Sequence, residues 1–177
     1  MEGQFYITTI AGLGVSLAGF SALLTLFRAG QVWDAVTLWR ARAIVRTSLE
    51  TALAMLTVIP IYYLTGSDAW AIRAGTLIML AYGLIDSRKM GPRRQPEAWP
   101  DPRRVLPYYI VTVVFSAVLA VNLGVANLGI FLASGLWSLG LPMTIFMSVL
   151  DEFRPGQHIG PSDSAPSAPQ AEPGLPG

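Results

Sequence analysis

Long uncharged runs separated by short charged ones dominate this chain. Ile7 to Phe27 is a run of 21 residues without a charge. At ~1.5 Å of rise per residue it spans about 31 Å as a helix, the thickness of a bilayer core. Val105 to Leu150 holds 46 residues with no charge. As one helix it would reach about 69 Å, more than twice the hydrocarbon thickness, so it has to cross twice. Asn122, Gly124, Asn127 and Gly129 mark the turn between the two crossings. Thr47–Leu64 and Ala69–Ile85 supply two further spans. The second contains Arg73, one turn from its start, where a long side chain can snorkel to the headgroups. The pattern predicts an all-α integral membrane helical bundle, with five transmembrane helices at 7–27, 47–64, 69–85, 105–122 and 130–150 inside a body of residues 1–154.

The intervening segments have their own signatures. Gln31–Arg46 is amphipathic, with Trp33, Val36, Leu38 and Trp39 against Arg40, Arg42 and Arg46, and Asp34 is placed to cap it. It is expected as an interfacial first stretch of the second helix. Pro60 lacks an N–H and predicts a kink further along. Thr65–Asp68 reads as a turn with a capping residue for the next helix. Ser87–Arg104 carries Pro92, Pro96, Pro100 and Pro102 and is expected to be a basic, extended loop. In 155–177, six of 23 residues are Pro and most others are Ser, Gly or Ala, which predicts a disordered tail. A signal peptide is the competing reading of Ile7–Phe27. The cation-free N-terminal flank, with Glu2, and the length of the run argue against it.

Composition and charge sharpen this picture. Charged residues make up 13% and hydrophobic ones 53%, where a soluble domain carries roughly a quarter charged. Four Arg fall in Arg28–Arg46, six cations in Ser87–Arg104, and Arg154 follows the last span. Five spans place these eleven of the twelve cations on one side, leaving Arg73 opposite. The positive-inside rule then predicts the N-terminus outside and the basic loops and C-terminus in the cytoplasm. Four spans would set the two richest basic segments on opposite faces. Phe5, Tyr6, Tyr62, Tyr63, Trp70, Tyr108 and Tyr109 all fall at the expected interfaces.

The chain contains no Cys, which excludes disulfides and thiolate chemistry, and its sole His, His158, lies in the tail. No cofactor and no metal ion is expected. Gly14-Val15-Ser16-Leu17-Ala18 has the outline of a nucleophile elbow, yet it lies mid-span and no histidine is there to deprotonate Ser16. Thr8, Gly12, Ser16 and Gly19 share a helix face instead, and a face of small residues predicts close helix packing through Gly12, Ser16 and Gly19. Ser134, Gly135 and Ser138 suggest a second such face. Glu50 is the one acid inside an expected span. Its i, i+4 position relative to Arg46 predicts an intramembrane ion pair, and the competing reading is a proton or ion site. Asp86 is expected as a solvated boundary charge. Arg40, Arg42, Arg88, Lys89, Arg93, Arg94, Arg103 and Arg104 are candidates for contact with anionic lipid headgroups, each worth about 1 kcal/mol near a surface.

Ala11-Gly-Leu-Gly-Val-Ser-Leu-Ala-Gly-Phe20 and Leu136-Trp-Ser-Leu-Gly140 resemble stretches of small multispanning bacterial membrane proteins with no assigned activity. The resemblance implies a bacterial inner-membrane location and no particular chemistry. Two functions follow as expectations. The first is a non-enzymatic scaffold or subunit, packing against other membrane proteins, a second copy of itself or anionic lipids, with no nucleic-acid partner. The second is a small oligomeric proton- or cation-coupled transporter or channel that uses Glu50. The scattered carboxylates are too few for paired acid–base catalysis.

Overall fold

A computed structural model of the chain describes residues 3–27, 35–94, 96, 101, 103 and 105–151. The fold is all-helical: α1 Gln4–Phe27, α2 Ala35–Thr65, α3 Asp68–Met90, α4 Val105–Val125 and α5 Leu128–Asp151. All five are long and apolar enough to cross a membrane. Each also turns large apolar side chains outward, among them Phe20, Leu53, Leu77, Val113 and Trp137, all more than half exposed. So wide an apolar exterior is unlike a water-facing surface. The expectations for Arg28, Asp34, Arg104 and the 155–177 tail lie outside the described residues.

Two helices run further than the sequence pattern indicates. α2 is one uninterrupted helix of 31 residues, about 46 Å long at the usual rise. The amphipathic stretch is therefore its first part, with no break at Thr47. Ala35–Ile59 contains neither Gly nor Pro to make one. Ala41, Ala43 and Ile44 are buried, so this stretch belongs to the bundle and is not a separate surface segment. α3 continues past Ile85 through Arg88 and Lys89 and stops at Gly91, whose backbone is extended. Pro92 sets that limit, because it disfavours the α conformation for the residue before it. The two cations in the last turn suit the negative end of the helix dipole.

The connections at the opposite end are tight. Gly66 takes a left-handed conformation (φ +64°) and its N–H donates to the Tyr62 carbonyl at 2.8 Å, closing α2 two residues before α3 begins. Between α4 and α5, Ala126 is left-handed and donates to the Asn122 carbonyl at 2.8 Å. Asn122 belongs to the last turns of α4, and its Oδ1 accepts from the Asn127 N–H at 2.9 Å. Asn127 in turn caps α5, its Oδ1 accepting from the Ile130 N–H at 3.0 Å. Asn122 also donates to Thr76 Oγ1 at 3.0 Å, tying α4 to α3 in a fully buried contact.

α2 packs against α1, α3 and α5, while α4 leans on α3 and α5 only. The face that α1 buries is Ile7, Ile10, Ala11, Gly14, Ala18 and Ser21; Ile7, Ala11, Gly14, Ala18 and Ser21 keep a 4-3-4-3 spacing toward a partner helix. Gly12, Ser16 and Gly19 are exposed, and nothing lies within 4 Å of a Cβ placed at Gly12 or Gly19. The expected packing stripe therefore faces outward, about one residue's rotation away from the seam used within the chain. A Cβ on Gly14 would stand 2.7 Å from the Ser48 carbonyl oxygen, so α1 and α2 touch backbone to backbone. Ser134 and Gly135 are buried on α5, and a Cβ on Gly135 would run into Met55 of α2.

Gly75 lies deepest between elements. A Cβ there would meet Val58 Cγ2 of α2 at 2.5 Å and Phe131 Cζ of α5 at 2.8 Å, and both side chains are fully buried. Gly75→Ala is expected to lower stability by about 1–3 kcal/mol through overpacking. Gly83→Ala, in the same helix with open space around the new methyl, is expected to be neutral or to gain up to about 1 kcal/mol. Thermal unfolding of both variants in one detergent checks the contrast; equal melting temperatures would contradict it.

Candidate functional site

The charged residues of α2 and α3 converge at the end of the bundle where α3 stops. Arg46 Nε donates to Glu50 Oε1 at 2.8 Å, one turn along α2. Its Nη2 lies 2.9 Å from Asp86 Oδ1 on α3. One guanidinium thus pairs with two carboxylates, through a hydrogen bond to Glu50 and a close charge contact to Asp86, whose Oδ1 makes no hydrogen bond. The Asp86 side chain is only 15% exposed and that of Glu50 17%. Asp86 is therefore no solvated boundary charge but a half-buried member of an ion triad next to Glu50. Arg46 and Asp86 stand twenty residues either side of Gly66, so an antiparallel hairpin closing at Gly66 brings them level.

The two carboxylates also line a cavity of about 400 Å³ between α2, α3, α4 and α5. Its walls mix aromatic and aliphatic side chains, including Met79, Tyr82, Phe115 and Trp137, with the hydroxyl residues Thr47, Thr51, Ser87, Thr112 and Ser138. Thr51 and Ser138 bond to each other at 2.9 Å across α2 and α5. Arg46 is not among the lining residues. With Arg42 and Lys89 it faces a separate depression bounded by α1, α2 and α3. The guanidinium therefore reaches the carboxylates from behind, and the cavity wall itself carries acids and no cation.

The other candidate cations divide into groups. Arg42 and Lys89 share the depression with Arg46. Arg88, Arg93 and Arg94 border another beside Tyr109 on α4. Arg40 is half-buried and Arg103 exposed, the latter with its backbone N–H donating to Asp101 Oδ1 at 2.9 Å. All of them belong to the segments around the same end of the bundle. At the far end, Arg73 donates from Nη2 to the Gly124 carbonyl at 3.2 Å and sits 5.6 Å from the Trp70 ring centroid. It thereby satisfies one of the last carbonyls of α4, which has no partner within its own helix.

No protein family, curated protein or solved structure matches the chain. What the site does is therefore argued from its geometry alone. The arrangement can hold two helices together through a shared guanidinium, and it can present negative charge to the cavity. It brings no nucleophile and base together among the described residues.

Because Arg46 has two counter-ions, losing one leaves it paired. Glu50→Gln or Asp86→Asn alone is expected to cost about 1 kcal/mol or less, since removing one acid also relieves repulsion between the two. The double variant strands a half-buried guanidinium and is expected to lose at least ~1 kcal/mol more than the sum of the singles. Unfolding of the four proteins in a double-mutant cycle measures this; strict additivity would mean that Arg46 is not shared.

Proposed function

We propose that this chain is a multi-pass protein of the bacterial inner membrane that acts as a non-enzymatic scaffold or subunit. Its N-terminus lies outside, and its basic end and C-terminal tail lie in the cytoplasm. The observation that carries the reading is where charge sits. Among the described residues, the helices hold ionised groups only toward the basic end, from Arg40 to Glu50 and Asp86 to Lys89, and at the opposite end, where Asp68 and Arg73 lie, with Asp151 closing α5. Between these ends the polar side chains are Ser, Thr and Asn, many of them bonded to helix carbonyls or to one another, together with Tyr82 and Trp137 and no carboxylate or cation. Such a bundle offers no relay of titratable groups through its middle, which proton or ion movement along a single chain would need.

Two surfaces supply the means of association. The outward stripe of Gly12, Ser16 and Gly19 lets a helix of another membrane protein, or of a second copy, approach closely. The depressions beside Arg42 and Lys89, and beside Arg88, Arg93 and Arg94, suit anionic headgroups. One observation favours the second reading, a small oligomeric proton- or cation-coupled transporter: Glu50 and Asp86 border the same cavity.

Reconstitution separates the two. Under the scaffold reading, proteoliposomes show no flux driven by a pH gradient, and mild-detergent extraction from native membranes yields a partner protein in fixed stoichiometry. A gradient-dependent flux from wild type that Glu50→Gln abolishes would replace the scaffold reading with the transport one. Orientation has its own check, helped by the absence of native cysteine. An impermeant thiol reagent applied to intact cells is expected to label Thr65→Cys and to spare Pro96→Cys, both at exposed positions. The reverse pattern would invert the topology.

A further inference from the structure

The cavity beside the ion triad has chemistry that anchoring two helices does not require. Five hydroxyl groups on its wall have their protons engaged within the protein, by helix carbonyls and, for one of Thr51 and Ser138, by the other's hydroxyl. Thr47 donates to the Ala43 carbonyl at 2.7 Å and Thr51 to that of Thr47 at 2.8 Å. Ser87 donates to Leu84 at 2.9 Å, Thr112 to Tyr108 at 2.8 Å and Ser138 to Gly135 at 2.9 Å. A hydroxyl has one proton and two lone pairs, so groups bonded in this way offer a ligand acceptors only. Glu50 and Asp86 add carboxylate acceptors, and no cation lines the wall among the described residues. Tyr82, Tyr108, Ser116 and the Trp137 indole also line the wall and can donate; two carboxylates with no cation beside them on that wall match its polar part to a donor that carries positive charge. Tyr82, Phe115 and Trp137 provide ring faces that also attract a cation.

The other half is apolar and longer than the charged part needs. Val111, Phe115 and Trp137 border both this cavity and a second space of about 490 Å³ between α4 and α5. That space is walled by Ile110, Val114, Val118, Ile130 and Ala133, with Ser134 as its one polar side chain. An acidic head thus adjoins an apolar body across the shared side chains Val111, Phe115 and Trp137. Both volumes fall within the range of small-molecule sites, about 300–1,000 Å³.

We propose that these adjoining spaces bind a lipophilic monocation, with its ammonium group against Glu50 and Asp86 and its apolar body between α4 and α5. The occupant carries no anionic group. A phosphate beside the ammonium, as in a zwitterionic phospholipid, would face two carboxylates without a cation to receive it. Position sets this up: Arg46 meets Glu50 Oε1 and Asp86 Oδ1 and borders the separate depression, while both acids line the cavity.

Three compounds with one tail isolate the head: octylammonium, octanol and octanoate, titrated into the purified full-length protein in a non-ionic detergent. Binding is read by the fluorescence change of Trp137, identified by its loss in Trp137→Phe. Octylammonium is expected to bind at least ten-fold more tightly than octanol, and octanoate more weakly still. Butylammonium is expected to fall at least ten-fold below octylammonium, because it leaves the α4–α5 space empty. Glu50→Gln and Asp86→Asn should each weaken octylammonium at least five-fold while leaving octanol unchanged. That comparison within one variant keeps charge recognition distinct from misfolding, and the headgroup series on wild type needs no variant. The proposal fails if octanol binds as tightly as octylammonium, or if both carboxamide variants bind the cation like wild type. It also fails if a phospholipid copurifies in fixed ratio and octylammonium does not displace it.

Discussion

In hydrocarbon, a helix gains no hydrophobic energy by exchanging lipid for another helix, so association depends on how closely the backbones approach and on what they bond. That constraint falls hardest on α2, which packs against three other helices. Its inward residues are correspondingly compact: Ser48, Ala52 and Ala54 are nearly or fully buried, and Met55 and Val58 fill what remains. The partners yield in turn. Gly14 of α1, Gly75 of α3 and Gly135 of α5 each stand where a Cβ would press on an α2 atom. Close approach at three separate seams, rather than bulk in a central core, makes the bundle specific.

The two ends of the bundle are closed by different chemistry. At the basic end an ion triad joins α2 to α3, and a half-buried guanidinium is held there by two carboxylates. Charge taken partly out of water needs full compensation, which the two carboxylates share. At the other end the bonds are neutral or carbonyl-directed: Asn122 to Thr76, Asn127 to the start of α5, and Arg73 to Gly124. These restrain the α4–α5 turn with short side chains that cannot move far.

The number of helices is legible in the sequence because the uncharged runs are longer than a bilayer is thick, and run length needs no knowledge of partners. The ends of helices were less so. α3 passes through a cluster of cations that reads as loop, since loops and last helical turns both favour Arg and Lys, and only Pro92 marks the true limit. The α1 seam illustrates a different limit. Two small-residue stripes lie side by side on that helix, Thr8–Gly12–Ser16–Gly19 and Ala11–Gly14–Ala18–Ser21. Composition ranks them equally, whereas the alternating 3-4-3 spacing of the second, against 4-4-3 in the first, distinguishes the one that faces α2. Arg46 and Glu50 share a helix, so their spacing is readable directly. Asp86 joins them only through the hairpin at Gly66, and the cavity needs four helices placed together, which no local spacing encodes.

The position of that cavity follows from how α4 is attached. α4 buries only Leu119 and Asn122 fully, both in its second half, near the short turn into α5. Asn122 draws that half against α3, and the turn holds it close to α5. The first half buries no side chain fully. It begins with Pro107 and Tyr108 at the cavity rim, and its side chains toward α5 are the β-branched Val111 and the bulky Phe115. Those side chains and Trp137 of α5 also border the second space between α4 and α5. The cavity opens beside Glu50 and Asp86 because the same hairpin geometry that pairs Asp86 with Arg46 sets both acids at that level. A bundle tied at one end and charged at the other therefore has a cavity where its negative charge is concentrated.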